Sequence, residues 1–200
     1  MTISGRRSIY ELRDRAISGG RLVLSLSQLS NVTGIPRGAA KVYASRLVKK
    51  GLAKRIMEGT ISLTDDPFVI ATQLVEPSYV SLTGALYLRD LVRQVPNLVE
   101  GVTTRNTRRF PSLGIEYHRV QPSLFFGYER LAKKGSYALV ATPEKALLDM
   151  IYLGRAVPQI LKEVAGGLDK GVLKHYASRF GGVGGYRALR VRRWVEGNVG

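Results

Sequence analysis

Two hundred residues allow one large domain or two small ones, and a hydrophobic content of 44% can supply a core for each. Thirty-one Lys and Arg against fifteen Asp and Glu give a formal charge of +16, which draws the chain toward nucleic acid or an anionic membrane. No cysteine is present, so disulfides and thiolate metal sites are excluded, and no apolar run approaches the roughly 20 residues of a spanning helix.

The first fourteen residues, MTISGRRSIYELRD, mix charges into the place where a signal peptide carries its apolar region, and a cytoplasmic setting is expected. Arg6 and Arg7 read either as contacts to a DNA backbone or minor groove or as a solvated terminal pair. SIYELRDRAI, residues 8–17, places Ile9, Leu12 and Ala16 on one face of a first helix. Gly19-Gly20 ends it, and residues 21–26 read as a short strand. Ser27 then suits the cap of a helix running to about Thr33, with Gly34 as its left-handed terminator. Pro36 opens the next helix, where a missing N–H costs nothing. In it Ala40, Tyr43, Ala44 and Leu47 recur at three- and four-residue spacing as a buried stripe, while Arg37, Lys41, Ser45 and Lys49 form another. Gly51 closes the helix, and LAKRI and TISL make a hairpin about Glu58-Gly59. The pattern predicts a winged helix-turn-helix over residues 1–66.

Its charge is lopsided. From Arg37 to Arg55 there are seven basic residues (Arg37, Lys41, Arg46, Lys49, Lys50, Lys54, Arg55) and no acidic one. A solvated helix face usually offers i,i+4 relief, and this one offers none; a phosphate backbone, which releases counterions on neutralisation, is the better partner. Arg37, Gly38, Lys41 and Ser45 are expected in the major groove, Arg46, Lys49 and Lys50 on phosphates, and Lys54, Arg55 and Thr60 in the wing. The plainer reading is a basic surface helix in a basic protein.

Asp65, Asp66 and Pro67 break the wing, and the apolar run after them begins a second part, residues 67–200, as helix or strand. From Ser78 strands alternate with helices. SYVSLTGALYLRDL reads as strand then helix, capped by Ser81 and facing inward through Leu82 and Leu86. LVEGVTTR is a strand, NTRRFPSLG a basic connection, IEYHRV a strand, QPSLFFGYERL turns around an apolar run, and YALVAT a strand. Thr142-Pro143-Glu144 starts a helix with a capping hydroxyl, a first-turn Pro and a carboxylate at the positive dipole end. Beyond Gly154 the pattern is helical, and the Gly-rich run at 181–185 lacks the Lys-Ser or Lys-Thr of a P-loop and reads as a turn. The fold class expected is α+β: a winged helix-turn-helix, then a mixed α/β domain with a helical extension from about residue 155.

Signs of an enzyme are thin. His118 and His175 have no partner at metal-ligand spacing, so neither a metal nor a cofactor is expected. His118 and Arg119 with Arg105, Arg108 and Arg109 form a candidate anion or partner surface, against the plainer reading of a basic strand edge and loop.

YVSLTGALYLRDL, VTTRNTRRF, IEYHRVQPSLFFGYE and YALVATPEKALLDMIYL, in this order behind a winged helix, resemble the AbiEi-like antitoxins of type IV abortive-infection toxin–antitoxin systems. The resemblance spans about residues 8–155. It implies a repressor that binds inverted repeats in its own promoter, a second domain that counteracts a nucleotidyltransferase-like toxin, and no catalytic activity; because operators of winged-helix proteins are often palindromic, a homodimer on DNA is a reasonable expectation. The chain departs from that pattern in its second part, which holds nineteen basic and ten acidic residues. A solitary regulator, or a winged helix that binds protein, is the alternative.

Overall fold

Residues 8–199 are described by a computed structural model, an α+β chain with two hydrophobic cores; Arg6 and Arg7 lie outside the described residues. The first core is built by α1 (Ile9–Ser18), β1 (Val23–Ser25), α2 (Leu26–Thr33), α3 (Arg37–Lys49), β2 (Lys54–Met57) and β3 (Thr60–Ser62). Ser8 and Glu11 close a reciprocal cap on α1, which buries Leu12 and Ala16. Ala40, Ala44 and Leu47 of α3 meet Leu24, Leu29 and Ile61 in the same core. Gly34 ends α2 at φ 68°, as expected. At the end of α3, Leu52 N–H donates to Leu47 O and Gly51 N–H to Val48 O, with Gly51 at φ 67° supplying the left-handed residue that pairing requires.

The cap of α2 is Ser25, not Ser27. Ser25 Oγ accepts from Gln28 N–H at 3.2 Å, and Gln28 Oε1 accepts from Ser25 N–H at 2.8 Å. The Ser-x-x-Gln spacing decides the start, so the strand ends at Ser25 and passes directly into the helix. The three strands are antiparallel in the order β1-β3-β2, with Gly59 at φ 67° in the hairpin tip. Leu24, Arg55 and Ile61 are register partners facing the helices, while Val23, Ser25, Thr60 and Ser62 face the other way.

The second core centres on a six-stranded mixed sheet, ordered β6-β7-β5-β4-β9-β8. Its elements are α4 (Pro67–Leu74), β4 (Ser78–Val80), α5 (Leu82–Tyr87), β5 (Val99–Thr103), β6 (Arg108–Phe110), β7 (Ile115–Arg119), β8 (Tyr128–Lys133), β9 (Ser136–Ala141) and α6 (Pro143–Leu153). The run after Pro67 is therefore a helix, started by Asp66, whose carboxylate accepts from the amides of Phe68 and Val69. Two strands lie where the sequence suggests connections. β6 occupies part of NTRRFPSLG, and β8 begins at Tyr128 in the segment read as turns. Both are sheet edges, where one exposed side dilutes the apolar alternation that marks a strand.

The sheet is covered on both faces. Tyr117 hydroxyl donates to Ala71 O of α4 at 2.6 Å, whereas Tyr79 hydroxyl on the opposite face reaches Asp149 of α6 at 3.0 Å. Thr142 caps α6 through Lys145 N–H, and the helix buries every residue from Glu144 to Tyr152. It can do so because α7 (Pro158–Ala165), α8 (Lys170–Gly181) and α9 (Tyr186–Asn198) follow, with α8 and α9 packing against it and burying Phe180 and Val191 in the same core. Gly182–Gly185 forms the turn between α8 and α9. No helix among the described residues is long and apolar enough to cross a membrane.

Gln73 joins the two halves. Its Oε1 accepts from Leu22 and Val23 N–H at 2.7 and 3.1 Å, and its Nε2 donates to Gly20 O and Ser136 Oγ. One buried amide thus satisfies the backbone just before and at the start of β1 and ties it to β9.

Candidate nucleic-acid interface

The helix α3 turns Ala40, Ala44 and Leu47 inward and leaves Arg37, Gly38, Lys41, Ser45, Arg46, Lys49 and Lys50 exposed. No described residue of the second half covers them. Pro36 offers no side-chain cap, so the first amides of α3 are open at the positive end of the helix dipole. A Cβ at Gly38 would meet nothing within 4 Å, which leaves the backbone there open to close approach.

These residues do not share one direction. Gly38, Ser45 and Lys49 lie opposite the buried stripe, and Lys41 lines a groove of about 260 Å3 between α3 and the hairpin, with Arg55 and Glu58 on its far wall. Arg46 lies 5.7 Å from the Tyr43 ring. Lys50 is on the flank toward α1, its Nζ 5.7 Å from the ring of Tyr10. Val42, 49% exposed, sits in the middle of the outer face among the cations. It carries no charge, so the cationic pattern of the helix does not point to it, yet an exposed aliphatic residue at that place suits a thymine methyl.

The expected wing residues divide. Arg55 faces the α3 side, as its pairing with Ile61 requires. Lys54 is on the other face of the sheet and is held by Asp65 at 2.6 Å. Thr60 pairs with Ser25 and Met57 beside the hairpin tip and lines clefts on both sides. The alternation of side chains along a strand therefore separates Lys54 from Arg55, adjacent in sequence though they are.

The constellation of Arg105, Arg108, Arg109, His118 and Arg119 does not assemble, for the same reason. On β7, Glu116 and His118 face one way and Ile115, Tyr117 and Arg119 the other. Arg109 Nε donates to Glu116 Oε1 at 2.9 Å, Arg155 reaches the same oxygen at 3.1 Å, and His118 Nε2 lies 2.9 Å from Glu100 Oε1. Glu116 thus takes up Arg109 and Arg155 while Glu100 faces His118, a polar cluster already satisfied within the fold. Arg108 pairs with Tyr117 and so projects to the opposite face, while Arg105 Nε donates to Glu76 O at 2.6 Å. Arg119 is exposed beside Asn106.

A second polar cluster lies inside the second core. Lys145, Asp149, Tyr79 and Ser81 are fully buried. Asp149 Oδ1 takes the Lys145 ammonium, and Oδ2 accepts from Tyr79 hydroxyl at 3.0 Å and Ser81 hydroxyl at 2.8 Å. Ser81, at the start of α5, therefore gives its hydroxyl to Asp149 instead of capping its own helix. The rings of Tyr79, Phe126 and Phe180 lie 5.0–5.5 Å from Lys145 Nζ. Burial pushes Lys145 below the usual lysine value, against the pull of Asp149, and burial together with the Asp149 charge pushes Tyr79 well above the usual tyrosine value. Sealed from solvent, these groups tie α6 to β4 and to the start of α5.

No family model matches the chain, and no curated protein matches it.

Proposed function

We propose that this protein is a sequence-specific duplex-DNA-binding transcriptional regulator, with residues 1–66 as a winged helix-turn-helix and α3 as its reading helix. The observation that carries the reading is the outer surface of α3: Arg37, Lys41, Arg46 and Lys49 exposed around Gly38, Val42 and Ser45, with no carboxylate on the helix. Arg55 extends that charge across the groove onto the hairpin. Side chains at the start of such a helix reach base edges, and the flanking cations hold phosphates. In its finer form, the reading makes the protein a cytoplasmic, non-catalytic AbiEi-like antitoxin that binds as a homodimer, represses its own operon and uses residues 67–200 against a nucleotidyltransferase-like toxin. The antitoxin part of that reading stands on the sequence resemblance alone.

The direct test is fluorescence anisotropy with a duplex carrying the chain's own upstream region. Binding should be saturable at moderate salt, and R37E/K41E should abolish it without altering the thermal midpoint. Equal binding by R37E/K41E, or none by the native chain, refutes the DNA reading. Toxicity rescue by co-expression with the product of the adjacent reading frame tests the antitoxin reading separately.

A further inference from the structure

The outer face of the three-stranded sheet does not lie flush on the second half of the molecule. Val23 packs into the second core, yet beside it Ser25, Met57 and Thr60 on one side and Glu76, Arg105 and Arg108 on the other enclose a cleft of about 470 Å3. Small-molecule sites run from about 300 to 1,000 Å3, whereas a duplex cannot enter such a space. Three guanidinium groups, those of Arg21, Arg105 and Arg108, line it against the single carboxylate of Glu76.

The three are unequally satisfied. Arg21 Nη2 holds Glu76 Oε2 at 2.5 Å, but its Nε is buried and has no acceptor among the described residues. Arg105 spends its Nε on Glu76 O. Arg108 is exposed and makes no ion pair with the described residues. A buried donor without an acceptor costs free energy, and arginine forks are matched to phosphate oxygens. Apolar wall is supplied by Met57, Leu74 and Val75.

We propose that this cleft binds a small phosphorylated molecule, its phosphate held by Arg105 and Arg108 near Arg21 and its body against the apolar wall. The ligand would touch the capping box of α2, the hairpin and the second sheet at once. The inference is independent of the DNA reading, since none of the α3 cations takes part.

The test is thermal shift and calorimetric titration of the full chain with inorganic pyrophosphate, and with citrate as a polyanion lacking phosphorus. Because a protein of charge +16 attracts anions everywhere, R108E is compared with R192E, an equal change of charge at an exposed position of α9. Arg108 has no side-chain partner to lose among the described residues, so R108E is expected to fold, which far-UV circular dichroism checks. Pyrophosphate should bind saturably to the native chain and to R192E alike, with affinity lowered about tenfold or more in R108E, as loss of a charge-assisted hydrogen bond requires. The proposal is overturned if there is no saturable binding, if both variants weaken equally, or if citrate is as effective. It is overturned equally if pyrophosphate has no effect and R108E instead weakens duplex binding, which would make Arg108 a contact to DNA.

Discussion

Replacing Asp149 with Asn removes the charge that faces Lys145 while keeping an oxygen for the hydroxyls of Tyr79 and Ser81. Neither partner of the pair reaches solvent, so the ammonium of Lys145 cannot be rescued by water. Breaking a buried pair from one side costs about 3–5 kcal/mol. The cost has a ceiling, because Lys145 can shed its proton. Folding with that amine neutral at pH 7, when the unfolded chain holds it charged up to the usual value of 10.5, costs about 5 kcal/mol at about 1.4 per pH unit. Between pH 7 and 10.5 the unfolded D149N chain then binds one proton more than the folded one, so its stability must rise with pH. The deficit against the native chain should shrink from about 3–5 kcal/mol at pH 7 to less than about 2 at pH 9.5. Urea unfolding followed by Trp194, the single tryptophan and packed against the second core, reads this directly. K145M/D149N, which removes the charge altogether, should recover much of the loss. A D149N deficit below about 1 kcal/mol at pH 7, or one that does not change by pH 9.5, refutes the reasoning.

Three other outcomes follow from the same coordinates. With Arg37 and Lys41 on base edges, Lys50 on the α1 flank and Lys54 held by Asp65, three cations, Arg46, Lys49 and Arg55, remain for phosphate, so log affinity for duplex should fall with log salt at a slope of about −2.7, a roughly 40-fold loss from 50 to 200 mM. K49A should flatten that slope by about 0.9 for every sequence, and a slope near zero would exclude the phosphate contacts. Tyr79 and Tyr117 are both raised in the folded chain, chiefly by burial, so above pH 10 the unfolded chain ionises first and stability falls by up to about 2.7 kcal/mol per pH unit. Y79F should halve that alkaline slope in urea midpoints read at pH 10–11, and an unchanged slope would show that Tyr79 does not contribute. Gly101→Ala would set its Cβ 2.8 Å from the Tyr117 ring, between two central strands, and should cost about 1–3 kcal/mol in urea unfolding, where no loss would mean that the ring can yield.

Local chemistry that repeats within a few residues was legible before any coordinates. Gly34 and Gly51 end helices where backbone must turn left-handed, and Thr142-Pro143 starts α6 as a hydroxyl and a fixed φ dictate. The failures lie where a signal depends on what is far away. The segments holding β6 and β8 carry charge and turn residues because one side of each is a sheet edge, and only their neighbours make them strands. Ser27 and Ser81 were reasonable caps by type. Gln28 moved one start to Ser25, and Asp149, sixty-eight residues away, took the other hydroxyl.

The candidate site divides along the same line. On α3 the helical period alone distinguishes the cationic surface from Ala40, Ala44 and Leu47, so its exposure could be read from spacing. On strands, proximity in sequence misleads, because neighbours point to opposite faces. Lys54 and Arg55, or His118 and Arg119, look like pairs and are separated by the thickness of a sheet. The alternation of IEYHR, which sets Ile115, Tyr117 and Arg119 on one side, already joins Glu116 with His118 and excludes Arg119 from their face. What no period could supply is the pairing of β5 with β7, which sets Glu100 beside His118 and leaves Glu116 to Arg109 and Arg155. The charge of the second half is thus partly spent inside the fold. Among the arginines left over, Arg108 faces the cleft beside the hairpin.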